Sequence, residues 1–320
     1  MQLKGDAKSL HCVNTGFWSL DQAFANRKGR VGFPVRGICE LYGRTYVGKS
    51  TISYGLAGRI ATALNTNIAL ADFELYDPDS LQDMFDNAGY CGIVESIYEE
   101  KDEKMLDALI DRLRSPEYSV GILDSLGAIS PISDEEGNIG DANMGRRAKI
   151  AAQLARRITK AVRDKAVLHD QPCILFIINH QLNQMGTKFA QGTTTSGGDV
   201  KKNLATERLC VRVLKTYDDG STLIVGKVEK NRFGFGRRSF YLFNLAGWGI
   251  HPGLTAIHDC INTGLAEQER TIKLDGKSFG YFSAIIERAD DAEMFRPFQD
   301  ALANFSGAVK APKSKDEEDE

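Results

Sequence analysis

No apolar run of about 18 residues, the length a bilayer-crossing helix needs, occurs anywhere in the 320-residue chain. The opening Met1-Gln2-Leu3-Lys4-Gly5-Asp6 also lacks the apolar stretch of a secretory leader. The expectation is a soluble cytoplasmic protein with no membrane partner. Cysteine is sparse: the 6 cysteines include no Cys-x-x-Cys pair. Cys39, Cys173 and Cys210 fall inside apolar, strand-like runs, which points to core packing in a reducing compartment and away from disulfides or zinc. The 5 histidines are dispersed without zinc-ligand spacing. Excess positive charge is missing too. With 40 Lys+Arg against 43 Asp+Glu, the net charge is −3, so any contact with nucleic acid must come from a local basic surface. No internal repeat is visible.

What is present is sharper. Gly43-Arg44-Thr45-Tyr46-Val47-Gly48-Lys49-Ser50 fits the GxxxxGK[ST] phosphate loop. It stands between an apolar run, Gly37 to Tyr42, and an amphipathic stretch of helical length, Lys49 to Leu64. In that setting the glycines let consecutive backbone N–H groups turn toward phosphate oxygens, and the helix presents its positive dipole end to the same anion. Lys49 is placed to reach the β and γ phosphates. The Ser50 hydroxyl, followed by Thr51, is placed to ligate Mg²⁺.

Strand-like segments recur at Asn67 to Asp72, Ile93 to Tyr98, Val120 to Asp124 and Ile174 to Asn179. Helical stretches such as Pro78 to Ala88 and Lys104 to Leu113 separate them. This alternation predicts an α/β fold with a mostly parallel sheet and ligand groups at the strands' carboxyl ends. Three β-rich runs follow, Glu207 to Lys215, Thr222 to Lys230 and Ser239 to Leu245, joined by turn signals and read as antiparallel strands extending the sheet. The expected organisation is a short N-terminal segment (1–30), a core (31–246), a small α+β C-terminal domain (247–308) and an acidic tail (309–320). The small domain is read as a helix near Leu254 to Thr263, a hairpin around Asp275-Gly276, and helices near Ala284 to Ala289 and Arg296 to Phe305.

Val120-Gly121-Ile122-Leu123-Asp124 is an apolar strand ending in a carboxylate, suited to hold Mg²⁺ through its water shell. Glu74, just beyond the end of another strand, can orient the water that attacks a γ-phosphate. From Arg146 to Lys165, Ile150, Leu154, Ile158 and Val162 form an apolar stripe. It leaves Lys149, Arg156, Lys160 and Arg163 on a basic face.

Further segments carry a resemblance to a known family. Asn14-Thr15-Gly16-Phe17-Trp18-Ser19-Leu20-Asp21 precedes the phosphate loop. Asp124 to Pro131, Glu136 to Gly145, Phe176-Ile177-Ile178-Asn179, Thr193 to Gly198 and Val228-Glu229-Lys230-Asn231-Arg232 follow it in order. Together they resemble the successive signatures of the RecA recombinases, over roughly residues 12 to 305. The resemblance implies a RecA-like P-loop ATPase core that uses ATP and Mg²⁺. It makes Glu74 the catalytic glutamate and Asn179-His180 the γ-phosphate sensor. It makes Lys230 and Arg232 a basic pair completing a neighbouring subunit's site, so that hydrolysis requires assembly.

Two DNA-binding loops are also implied. The first holds Gly137, Asn138, Ile139, Gly140, Met144 and Gly145 and leads to Arg146, Lys149 and Arg156. The second holds Lys188, Phe189, Thr195, Ser196, Gly197 and Gly198. Flexible glycines, apolar wedges and backbone N–H groups suit stretched DNA. The implied partners are single-stranded DNA, a homologous duplex, further copies in a filament, and a single-strand binding protein or loader.

The chain departs from the family's pattern in four places. His180 replaces a glutamine. Asp79 and Ser80 stand where an adenine-stacking aromatic is expected, so Tyr76 is the candidate for that contact. Asn203 replaces an aromatic after the second loop. Only about a dozen residues precede the core, so the expectation is a short, divergent, phage-like form whose assembly uses another contact. Two other readings use the same residues: a ring-forming motor or helicase, and an ATP-switched single-strand binding or annealing protein. A nucleotide kinase has no use for the two loops.

Overall fold

The computed structural model describes residues 11–26, 29–129, 144–183, 193–195, 205–234 and 236–305. It begins with a two-stranded ribbon, β1 (Cys12–Val13) with β2 (Phe33–Pro34), enclosing α1 (Trp18–Ala23). β3 (Arg36–Gly43), α2 (Lys49–Leu64), β4 (Asn67–Asp72), α3 (Pro78–Asn87), β5 (Val94–Ile97), α4 (Asp102–Arg114) and β6 (Tyr118–Asp124) then alternate. α5 (Met144–Leu168), β7 (Cys173–Asn183), β8 (Thr193–Thr195), β9 (Glu207–Thr216), β10 (Thr222–Asn231), β11 (Ser239–Leu245) and β12 (Gly249–Ile250) follow.

The main sheet runs β12-β11-β10-β9-β3-β7-β6-β4-β5, with β8 added to β7. From β9 across to β5 every pairing is parallel. From β9 to β12 every pairing is antiparallel. The expected mostly parallel sheet with an antiparallel extension is therefore present. Parallel neighbours need crossover helices, and these cover both faces. Period-two alternation then sorts the strand residues. On β3, Cys39 and Leu41 face the cluster under α2, whereas Ile38 faces the cluster under α4 and α5.

The C-terminal segments are α6 (Pro252–Thr263), a three-stranded sheet of β13 (Ala266–Gln268), β14 (Ile272–Leu274) and β15 (Lys277–Gly280), then α7 (Phe282–Ile286) and α8 (Ala292–Ala303). α8 begins at Ala292 where the sequence suggested Arg296, and it carries Pro297 inside. Burial of Met294, Phe295, Phe298 and Leu302 outweighs the hydrogen bond that proline removes. Leu223, Val225, Tyr241 and Phe243 of the main sheet pack with Leu254, Ile257, Phe295 and Phe298 in one cluster. His251 caps α6: its Nδ1 accepts from the Leu254 N–H at 3.1 Å, and its Nε2 lies 3.1 Å from the Ala289 carbonyl, to which it donates.

Asp259 ties α6 to α1. Its Oδ2 accepts from the Ser19 N–H at 3.0 Å, while its Oδ1 is buried without a partner. Burial pushes this carboxyl up to about 7 from its ordinary 3.8. Between those values the folded protein keeps a proton that the unfolded chain releases, so stability falls as pH rises through this window and is level above it. Asp21, also pushed by burial to about 7, acts in the same sense. Asp259→Asn is expected to flatten the slope. It should gain about 1–3 kcal/mol over the parent at pH 8 and nothing at pH 4 in urea unfolding; equal slopes for the two proteins would refute this.

Candidate functional site

The phosphate-loop segment, Gly43 to Ser50, connects β3 to α2. Gly48 is the N-cap of α2, with φ +81° in the left-handed region that favours glycine. A side chain there would also meet Ile224 Cδ1 at 3.3 Å. No side chain caps the helix, so the N–H groups of its first turn face the loop. Val47 is buried in the core and anchors the loop, while Arg44, Thr45 and Tyr46 are exposed. Lys49 is buried, and its Nζ donates to the Arg44 carbonyl at 2.9 Å. Burial lowers its pKa, against the opposing pull of Asp124 and Glu74.

Parallel strands bring β4, β6 and β7 to the same end of the sheet, where Asp124, Glu74 and His180 gather around that lysine. Asp124 is buried and accepts from the Tyr54 hydroxyl at 2.9 Å. Ser50 is within hydrogen-bonding reach of both Asp124 and Tyr76. Burial raises Asp124 to about 6. Asp72 accepts from the N–H groups of Glu74 (2.9 Å) and Tyr76 (2.8 Å) and so shapes the turn that presents Glu74. Glu74 Oε1 accepts from the Ser125 hydroxyl at 2.7 Å and lies 3.9 Å from His180 Nε2. Burial, then the Lys49 ammonium, lowers the His180 pKa below its ordinary 6.5, so the ring is neutral at pH 7.

Tyr76 stands edge-on against Tyr54, ring centroids 5.6 Å apart, on the Ser50 side of the loop. A separate cleft of about 250 Å³ opens beside Thr51. Its walls are Ser80, Asp83 and Met84 of α3 and the turn around Asn244 and Trp248, and Tyr76 is not among its lining residues. The Asn87 amide donates to the Trp248 carbonyl at 2.8 Å and joins the two walls.

Lys230 and Arg232, at the end of β10, are not brought to this cluster, because β9 lies between β10 and β3. The charges acting on Lys230 are those of Arg232, Arg208, Glu207 and Glu40. Four residues the sequence reading passed over, Glu40, Asp72, Tyr54 and Ser125, hold the site together. Glu40 did leave a signal: a carboxylate inside the apolar run Ile38 to Tyr42 is unusual unless paired.

On α5, Ile158 and Val162 are buried while Arg156, Lys160 and Arg163 are exposed, which gives a basic outer face. Met144, Gly145, Arg146 and Lys149 belong to the same helix, and Thr195 belongs to β8. The expectations for Gly137, Asn138, Ile139, Gly140, Lys188, Phe189, Ser196, Gly197, Gly198 and Asn203 lie outside the described residues.

Among the described residues no group of three or more His, Cys, Asp or Glu side chains is arranged to hold a metal, and no helix is long and apolar enough to cross a membrane. One hydroxyl and one buried carboxylate, Ser50 and Asp124, suit a Mg²⁺ ion that takes its other ligands from phosphate and water. The uncapped α2 N-terminus suits the phosphate.

A family model described as the RecA N-terminal domain matches residues 1–233. Among curated proteins, Protein RecA of Mannheimia haemolytica is 29% identical over 235 residues, covering 71% of this chain. The match spans 60% of the length of that relative.

Tyr54→Phe removes a donor from a buried carboxylate and nothing else. The expected loss is about 1.5–3 kcal/mol in denaturant unfolding without nucleotide or metal. A loss below about 0.5 kcal/mol would show that Asp124 does not depend on this hydroxyl.

Proposed function

The chain belongs to the RecA family, and on that premise we propose that it is an ATP-dependent recombinase. It assembles on single-stranded DNA, pairs it with a homologous duplex and exchanges strands, with DNA-stimulated ATP hydrolysis. The observation that carries the reading is the Glu74, Ser125 and His180 group facing Lys49, with Lys230 and Arg232 held away from it beyond β9.

In this reading the first-turn N–H groups of α2 and the Lys49 ammonium bind the β and γ phosphates. Ser50 and Asp124 would hold a Mg²⁺ ion, which would supply positive charge against that of the phosphates. The cleft beside Thr51 takes the nucleobase. Trp248 stands in its wall, and Asp83 and Asn244 offer hydrogen bonds to the base edge. Glu74, fixed by Ser125, accepts a proton from the attacking water. The neutral His180 ring donates to the γ-phosphate and reports its presence toward β8 and the segment after it.

Lys230 and Arg232 serve a neighbouring copy. A basic group delivered across a subunit boundary stabilises transferring phosphate charge and makes hydrolysis wait for assembly. DNA lies along the first loop, the basic face of α5 with Arg156, and the second loop. Phosphate contacts of this kind supply affinity independent of base sequence. A single-strand binding protein or loader assists assembly.

The test is ATP hydrolysis with and without single-stranded DNA across protein concentration, with Lys49→Ala as the inactive control. A DNA-stimulated rate rising cooperatively with concentration is expected, whereas a rate indifferent to both favours an ATP-switched accessory protein. Glu74→Gln is expected to bind ATP and barely hydrolyse it; wild-type turnover by that variant removes Glu74 from the mechanism. Glu74→Gln and Lys230→Ala protomers, each inactive alone, are expected to regain part of the rate when mixed. No recovery would place Lys230 outside a neighbour's site.

A further inference from the structure

Three strands past the loop's own chemistry meet at one buried carboxylate. Glu40 lies on β3 between its two parallel neighbours, directly opposite Ile177 of β7 and Arg208 of β9. Its Oε1 accepts from the Asn179 side-chain amide at 2.8 Å, and its Oε2 accepts from Arg208 Nε at 2.5 Å. All three residues are buried. The other end of the Asn179 amide accepts from the His180 N–H at 2.9 Å. The Arg208 guanidinium is itself stacked on the Tyr42 ring, 4.5 Å from its centroid, one residue before the phosphate loop begins. Arg208 is the cross-strand partner of Lys230.

Each carboxylate oxygen is thus committed to a different strand. One holds the amide that sets the backbone under His180, and the other holds the cation that lies against Lys230. A charge pair this deeply buried has no solvent to replace a lost partner, so moving one side disturbs the other.

We propose that Glu40 is a positioning residue that couples the state of His180 to the placement of Lys230 and Arg232, linking nucleotide occupancy in one protomer to the basic pair offered to the next. The proposal rests on the reading of Lys230 and Arg232 as serving a neighbour. It assigns Glu40 no contact with nucleotide or water. A shift of His180 toward a bound γ-phosphate draws on the Asn179 amide, then on the Glu40 carboxylate and then on Arg208, whose repulsion of Lys230 changes with its position.

Glu40→Gln tests it with little change of shape. The glutamine oxygen still accepts from Asn179, but its amide N–H groups oppose the Arg208 donors. The expected result is ADP affinity unchanged within about threefold, together with an about tenfold fall in the DNA-stimulated, concentration-dependent part of hydrolysis and a lower Hill coefficient. Because an unpaired Arg208 also weakens the fold, Glu40→Gln/Arg208→Gln is measured beside it, with two amides that can bond each other. Recovered thermal stability without recovered cooperativity supports the coupling role. Cooperativity that returns with stability shows that Glu40 is structural only and overturns the proposal. Full cooperativity in the single variant, beside a wild type that responds to DNA, overturns it as well. A wild type that hydrolyses without response to DNA or concentration overturns the recombinase reading, and this proposal falls with it.

Discussion

The pairing of β3 with β7 on one side and β9 on the other, both parallel, is the constraint on which the remaining geometry depends. It sets β3 inside the sheet, where its last residue opens the phosphate loop directly beside His180 of β7. Parallel strands deliver their carboxyl ends to one edge, so Asp124 of β6, Asn179-His180 of β7 and the turn after β4 arrive together without any contact between them in sequence. The same pairing puts β9 between the loop and β10, which keeps Lys230 and Arg232 out of their own protomer's cluster.

Several groups at this edge are carboxylates taken out of water, and the structure treats them differently. Asp72 is spent on two backbone N–H groups and acts as a turn former. Asp124 keeps hydroxyl donors, Tyr54 and Ser50, and remains available to a cation. Glu40 is wholly occupied by protein partners. A buried carboxylate without such partners loses several kcal/mol of hydration, so the hydrogen-bond partner of each largely dictates its role. Asp259, elsewhere in the fold, has one oxygen unpartnered, and burial raises its pKa.

Two departures from the family's pattern find a physical setting. His180 occupies a half-exposed position between Glu74 and Lys49, whose opposing charges act on it in opposite senses, so that burial decides its protonation. The stretch after Asp77-Pro78 uses Ser80 to close the cap of α3, with Asp77 accepting from both its N–H and its hydroxyl. Ser80 thus serves the cap while also lining the cleft beside Thr51, together with Asp83, Asn244 and Trp248.

Much of this molecule was legible before folding. The glycines of the phosphate loop, the apolar runs of β4 and β6, and the apolar stripe of α5 are local statements, set by the steric freedom of glycine and the periods of strand and helix. They carried the fold class and placed Lys49, Glu74 and Asp124 at element ends. Tertiary structure decided what depends on neighbours remote in sequence: that Tyr54 of α2 reaches Asp124, that Ser125 rather than a nearer residue holds Glu74, and that Pro297 is absorbed within α8. It also decided that Glu40 joins Asn179, 139 positions away, to Arg208, 168 positions away. Sequence spacing records the period of one element, whereas a buried hydrogen bond is fixed by the order of strands in the sheet, and that order emerges only when every strand has found its neighbours.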